Sequence, residues 1–121
     1  MKLMEAINAG DALTHNTYTQ TEKIGWISRL DRLVQQTVID THAGGTAEFD
    51  GYNDDTDPAV RLLIPEPYDE AYLLWIESKI HYYNGEYDKY NNAVERFNQV
   101  FASFKNYYNR THMPKGRKFR F

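Results

Sequence analysis

The chain has 121 residues, about the length of one domain, and it contains no cysteine. The lack of cysteine excludes a disulfide framework, a thiolate nucleophile and a cysteine-ligated zinc site, and it fits a protein that works in a reducing cytosol. The N-terminal residues contain no long apolar stretch. We therefore expect neither a signal peptide nor a membrane span, and we expect the chain to begin at its native start.

The net charge of −3 conceals an uneven distribution of charge. Residues 110–121 carry five basic side chains and no acidic one, which leaves nine basic and 17 acidic residues for the rest of the chain. An acidic body disfavours non-specific binding of nucleic acid, because contacts with phosphate need lysine and arginine. The ten tyrosines are also unusual. Tyrosine joins an apolar ring to a polar tip, so this abundance indicates either a partner surface or an ordinary aromatic core.

The first half of the chain predicts two helices. A short one covers residues 2–9 and ends near Gly10, and a polar loop follows over residues 11–18. Thr19 and Glu22 then form a capping box, in which the two side chains satisfy free amide donors at a helix start. Apolar residues recur at helical spacing from Trp26 to residue 39, and the helix should stop near His42, because Gly44 and Gly45 follow.

Residues 46–65 are predicted to form an acidic loop, with weak alternation that also allows a short β-hairpin from 47/49 to 62/64. A loop of about 20 residues is long for a compact domain and often binds a partner. The candidate interface residues in it are Asp50, Tyr52, Asp54, Asp55 and Asp57. The loop resembles the start of an EF-hand but has proline and isoleucine where glycine and glutamate are needed. Weak calcium binding remains the alternative for these carboxylates.

The second half of the chain predicts an antiparallel helical hairpin. Pro67 lies near the first turn of one helix, whose apolar stripe is Tyr72, Ile76, Ile80 and Tyr83. An Asn-Gly turn separates it from a long helix over residues 86–110, about 37 Å in length. The apolar seam of that helix has spacings of three and four: Tyr87, Tyr90, Val94, Phe97, Phe101, Phe104 and Tyr108.

No pattern in the chain predicts catalysis. There is no nucleophile motif and no phosphate-binding loop, and no spacing brings carboxylates to a recognisable cleft. Glu77 and His81 share a helix face, but two ligands do not make a zinc site. We therefore expect a protein that is not an enzyme and has no cofactor, no catalytic residue and no resident metal.

The C-terminal tail, residues 115–121, alternates cations with aromatic rings after Pro114 has ended the helix. In an extended chain this alternation places the cations on one side and the rings on the other. We interpret the tail as a segment that docks on another protein; contact with the DNA backbone and a frayed terminus are the alternatives. Its predicted partner-binding residues are Lys115, Arg117, Lys118, Phe119, Arg120 and Phe121.

Several segments resemble a small prophage protein of Firmicutes. They are residues 22–31 (EKIGWISRLD), 51–57 (GYNDDTD), 65–70 (PEPYDE) and 82–87 (YYNGEY), and the ending NRTHMP with RKFRF is the most distinctive. The resemblance extends over nearly the whole chain. These segments resemble the head–tail connector family of tailed bacteriophages, also called neck adaptors or head completion proteins.

The resemblance implies a structural protein of the virion neck, assembled in the host bacterial cytoplasm. Such proteins form a ring, commonly a dodecamer, beneath the portal protein, and join it to the next neck protein or the tail terminator. DNA passes through the ring without sequence-specific binding, and no membrane is involved. In that family a C-terminal extension contacts the portal, and the matching segment here is residues 115–121.

The sequence thus predicts a mainly α-helical bundle of about four helices, with a helical adaptor domain over residues 1–114 and an extended tail over 115–121. The rival hypothesis is a small prophage regulator that binds nucleic acid. It needs a basic recognition helix, and the helix after Thr19 offers Lys23, Arg29 and Arg32 against nearby acids, which is a poor match.

Overall fold

The computed structural model describes residues 1–42 and 49–112, and these form a mainly α-helical bundle. Its four helices are α1 (Leu3–Leu13), α2 (Gln20–Val34), α3 (Glu70–Tyr83) and α4 (Tyr87–Thr111). A π-helical turn, Gln35–Ile39, continues α2. No strand occurs in the described residues, and no helix in them is long and apolar enough to cross a membrane.

The predicted helical hairpin of α3 and α4 is confirmed. Helices α3 and α4 lie against each other, and α3 also packs on both α1 and α2. The turn between α3 and α4 contains Gly85 at a φ of +76°, a conformation that glycine adopts without strain. Because α3 contacts all three other helices, it is the centre of the fold. Its residues Ala71, Tyr72, Ile76 and Ile80 are fully buried there.

Helix α2 begins where the capping box predicts. The side chain of Thr19 accepts a hydrogen bond from the backbone N–H of Glu22 at 3.2 Å, and its hydroxyl donates to the Glu22 carboxylate at the same distance. At the other end, the N–H of Asp40 donates to the carbonyl of Gln35 at 2.8 Å, which widens the last turn into a π-turn. The predicted stop at Gly44 and Gly45 lies outside the described residues.

Helix α1 is longer than predicted, because it runs through Gly10 to Leu13. A Cβ on Gly10 would lie only 3.1 Å from two carbons of Ile76 in α3. Glycine here lets two helices approach closely and does not end the helix, so the predicted end at Gly10 is wrong. The predicted loop over 11–18 is shortened accordingly.

The short β-hairpin that the sequence allows over residues 47–64 does not form in the described part of that segment. The backbone N–H groups of Leu63 and Ile64, which a partner strand would bind, donate to the side chains of Asp31 and Tyr72 instead. A single antiparallel bridge joins Arg61 to Lys2, and the N–H groups at the start of α1 donate to carbonyls of residues 58–60. The connection from 49 to 69 is therefore an ordered strap across α1 and α2.

Candidate protein interface

A buried carboxylate fixes the strap to the bundle. Asp31 of α2 is 0% exposed. Its Oδ1 accepts a hydrogen bond from the Tyr72 hydroxyl at 2.5 Å, and its Oδ2 accepts one from the Tyr52 hydroxyl at 2.5 Å and one from the Leu63 N–H at 3.1 Å. The Tyr72 oxygen in turn accepts from the Ile64 N–H at 2.8 Å. The network joins α2, α3 and the strap in one place.

The protonation of this network follows from its burial. Burial raises the pKa of the Asp31 carboxyl above its usual 3.8, although the three hydrogen bonds from Tyr52, Tyr72 and Leu63 act in the opposite direction. Burial next to this carboxylate also raises the pKa of both phenols far above their ordinary 10.0. Both hydroxyls therefore keep their protons and act as donors to Asp31.

The predicted interface residues of the acidic loop do not act as one group. Tyr52 is half-buried and bound to Asp31, so its hydroxyl is committed to the fold. Asp54 accepts hydrogen bonds from the Thr21 hydroxyl at 2.8 and 3.0 Å, which holds it beside the start of α2. Asp50 and Asp55 are exposed, while Asp57 accepts a local hydrogen bond from a backbone N–H in its own turn.

In the described ranges, no three His, Asp or Glu residues lie close enough together to hold a metal ion. Glu77 and His81, which share a face of α3, make polar contacts with each other and with residues of the turn and of α4. His81 has its Nε2 3.5 Å from Glu77 and its Nδ1 3.3 Å from Glu86. Glu77 also pairs with Arg96 at 2.8 Å, which links α3 to α4. These groups stabilise the helical hairpin.

Two of the three basic residues of α2 have partners within the bundle. Lys23 is buried, and its Nζ donates to the Asp11 carboxylate at 2.8 Å. The guanidinium of Arg32 lies 5.6 Å from the ring centre of Phe49. Neither arrangement leaves a row of free cations on α2, such as a helix that reads DNA requires.

Among the described residues, three exposed tyrosines lie together at the turn between α3 and α4. Tyr82, Tyr83 and Tyr87 are 48%, 55% and 62% exposed. The ring of Tyr83 stacks on that of Trp26 with 5.8 Å between centroids, and Tyr18 packs edge-on against Trp26 at 5.5 Å. We call this group of five rings the tyrosine surface; its tyrosines surround Trp26, which is itself buried. Contiguous exposed aromatic rings are typical of sites that bind other proteins.

A groove of about 280 Å³ opens beside these rings. Its walls are Tyr18 and Tyr83, and its floor is the surface of α2 around Gly25. Thr21, Gly25 and Arg29 follow one another at spacings of four, so they form a line along the helix. The missing side chain of Gly25 leaves the floor low in the middle of that line, and we call this site the Gly25 groove.

The sequence did not predict the tyrosine surface. The heptad-like spacing assigned Tyr83 and Tyr87 to buried seams, but the two helices meet at the turn and leave these rings outside. Their position next to Asn84-Gly85 was the available signal, because side chains that flank a tight turn lie at the end of a bundle. The predicted tail residues, Lys115 and Arg117 to Phe121, lie outside the described residues.

The comparisons with known proteins add no relative to this picture. No protein-family model matches the chain, no curated protein matches it significantly, and no solved structure resembles it significantly.

Proposed function

We propose that this chain is a structural protein, a head–tail connector adaptor of a tailed bacteriophage or prophage. In this proposal, copies of the chain form a ring below the portal protein, join it to the next neck or tail protein, and surround the channel through which DNA passes. The family is proposed from the sequence resemblance. The observation in the structure that supports a partner-binding role is the tyrosine surface.

The tyrosine surface supports this role because of its composition. Rings left in water at Tyr82, Tyr83 and Tyr87 forgo the stabilisation that burial of apolar area would give. Tyrosine is among the residues that most often anchor protein interfaces, because its ring contributes area and its hydroxyl can still find a partner. Binding of another chain here would recover that stabilisation.

The internal polar groups support a structural role as well. Every buried side-chain nitrogen or oxygen in residues 1–42 and 49–112 has a hydrogen-bonding partner. The Asp31 network and the Lys23–Asp11 pair join elements of the bundle to one another. These groups hold the strap and the helices at fixed positions, which suits a subunit that transmits force between neighbours.

The acidic body fits a channel for DNA. Excess negative charge repels the phosphate backbone, so DNA can move past without being held, whereas rows of free lysine and arginine would bind it.

The test of the proposed function is a prophage in which this gene is deleted and then restored from a plasmid. Without the gene we expect DNA-filled or leaking heads that lack tails, seen by electron microscopy of induced lysates.

The restored gene is the control and should return tailed particles. Normal tailed particles in the deletion strain would contradict the proposed function. The rival hypothesis, a regulator that binds nucleic acid, predicts salt-dependent retention of the purified protein on DNA. Such retention, together with normal particles, would favour the regulator.

A further inference from the structure

Gly25 lies in the middle of α2, where glycine lowers helix stability by roughly 1 kcal/mol relative to alanine. Packing within the described part of the chain does not require it, since a Cβ at this position would meet no atom within 4 Å. Gly10 differs, because a Cβ there would press on Ile76 at 3.1 Å. The open floor at Gly25 thus leaves room that the described residues do not use.

We propose that the Gly25 groove binds the tail, residues 115–121, of a second copy of this chain. The proposal rests on the proposed function only for the expectation that copies assemble into a ring. It assigns the tail to a neighbouring subunit, whereas the family resemblance implies contact with the portal.

The chemistry of the two surfaces is complementary. The rings of Tyr18, Trp26 and Tyr83 line a space in which Gly25 adds no side chain, which suits an inserted phenylalanine such as Phe119. Glu22 lines the groove together with one cation, Arg29, and outside the lining Asp54 is held beside Thr21 by hydrogen bonds. These carboxylates suit the arginine and lysine residues that alternate with phenylalanine in the tail.

The direction of α4 favours the tail of a second copy. The carbonyl of Trp26, next to Gly25, accepts a hydrogen bond from the Trp75 indole, and the Trp75 ring packs on Phe97. From Phe97 to His112, α4 carries the chain about 22 Å away from the level of the groove. Phe119 follows His112 by seven residues, which span at most about 25 Å when fully extended. A subunit's own tail would therefore have to reverse direction after the helix and run back almost fully extended to reach its own groove, whereas a neighbouring subunit can bring its groove to the tail.

A contact of one subunit's tail with the next subunit's groove is head-to-tail. Each copy then offers one tail and one groove, and repetition of the contact gives a closed ring or an open chain. Two complementary defects test this arrangement in the full-length protein. Gly25→Gln fills the groove and keeps the tail, whereas the double substitution Phe119→Ala and Phe121→Ala removes the rings and keeps the groove.

Native mass spectrometry and sedimentation velocity should show large assemblies for the wild type and monomers for each variant. The apparent dissociation constant of each variant should rise at least about 30-fold, as expected when an aromatic anchor is lost. A 1:1 mixture of the two variants should form heterodimers and nothing larger, because one intact tail meets one intact groove.

The control is Ala102→Gln, a change at an exposed position of α4 that should assemble like the wild type. Gly25→Gln should melt at or above the wild-type temperature, which separates a blocked groove from a damaged fold. A wild type that stays monomeric, a Gly25→Gln variant that assembles normally, or a mixture that stays monomeric would overturn the proposal. Normal assembly of the tail variant alone would mean that a different segment occupies the groove and would also overturn it.

The outcome is separable from that of the gene deletion. If assembly ignores Gly25 but deletion still yields heads without tails, the proposed function stands and the tail-in-groove contact is wrong. If the mixture gives heterodimers but deletion leaves normal tailed particles, the contact stands and the function is wrong.

Discussion

The hydroxyl of Tyr72 in α3 donates to the buried carboxylate of Asp31 in α2 across 2.5 Å. Asp31→Ala would leave this hydroxyl, that of Tyr52 and the Leu63 N–H without their shared acceptor. Each buried donor that loses its partner costs about 1–3 kcal/mol, so we expect a loss of at least 3 kcal/mol or so in the free energy of unfolding. Urea denaturation measures it. Asp55→Ala, at an exposed position, is the matched control and should change stability by less than about 0.5 kcal/mol.

The pH dependence of stability should carry a signature of Asp31. Its pKa in the folded state is raised by burial above 3.8, so the folded protein takes up this proton at a higher pH than the unfolded chain. Its contribution to stability therefore increases as the pH falls from neutral through the raised pKa, and it levels off once the unfolded carboxyl is also protonated, near 3.8.

Comparison with Asp31→Asn isolates that contribution, since the amide does not titrate. The wild type should gain stability relative to the variant as the pH is lowered from 7 towards 4, measured by urea denaturation at each pH. Parallel stability curves for the two proteins would show that Asp31 has the same pKa folded and unfolded.

The aromatic seam of α4 predicts another stability difference. Phe97 is 6% exposed and its ring lies 5.1 Å from that of Trp75 in α3. Phe97→Ala should therefore cost about 3–5 kcal/mol, as removal of a buried ring does. Tyr87, which the same periodicity assigned to the seam, is mostly exposed, and Tyr87→Ala should cost less than about 1 kcal/mol. Both losses are measured by chemical denaturation. Equal losses would contradict the exposure of Tyr87 in the structure and would place it in the core, as the spacing of the seam predicts.

Local signals in the sequence predicted the helices well. The Thr19 cap, the Asn-Gly turn and the spacing of Phe97, Phe101 and Phe104 each depend on residues close together in the chain. They gave the number of helices, the hairpin and most of the apolar faces. Helix starts and turns are decided by hydrogen bonds over three or four residues, which is why the sequence alone was sufficient there.

Long-range packing decided what the sequence missed. Asp31 stands between apolar residues on the inner face of α2, but its donors come from 21 to 41 residues further along the chain. No local pattern indicates that Tyr52 and Tyr72 meet there. The tyrosine surface was missed for the same reason, because exposure of Tyr83 depends on where α3 and α4 stop covering each other.

Two helix glycines should respond oppositely to alanine. Gly25→Ala should stabilise the protein by about 0.5–1 kcal/mol, because alanine favours the helix and the added methyl meets nothing. Gly10→Ala gains the same helix propensity but presses on Ile76, which is fully buried, so overpacking should give a net loss of about 1–2 kcal/mol. Thermal melts of the two variants provide the measurement. A gain at both positions would mean that α1 and α3 separate easily at Gly10.

Assembly should weaken as salt concentration rises. The tail is basic and the body carries exposed acids such as Glu22, Asp54 and Asp55, and ions screen attraction between such groups within a Debye length of about 8 Å at physiological ionic strength. Sedimentation velocity at increasing sodium chloride should therefore show progressive dissociation of the wild type. Asp54→Asn should lower assembly at low salt and flatten the dependence, whereas Phe119→Ala should lower it at every salt concentration. Assembly that stays constant or strengthens with salt would show that the apolar contacts of the phenylalanine rings dominate, and the electrostatic argument would then be wrong.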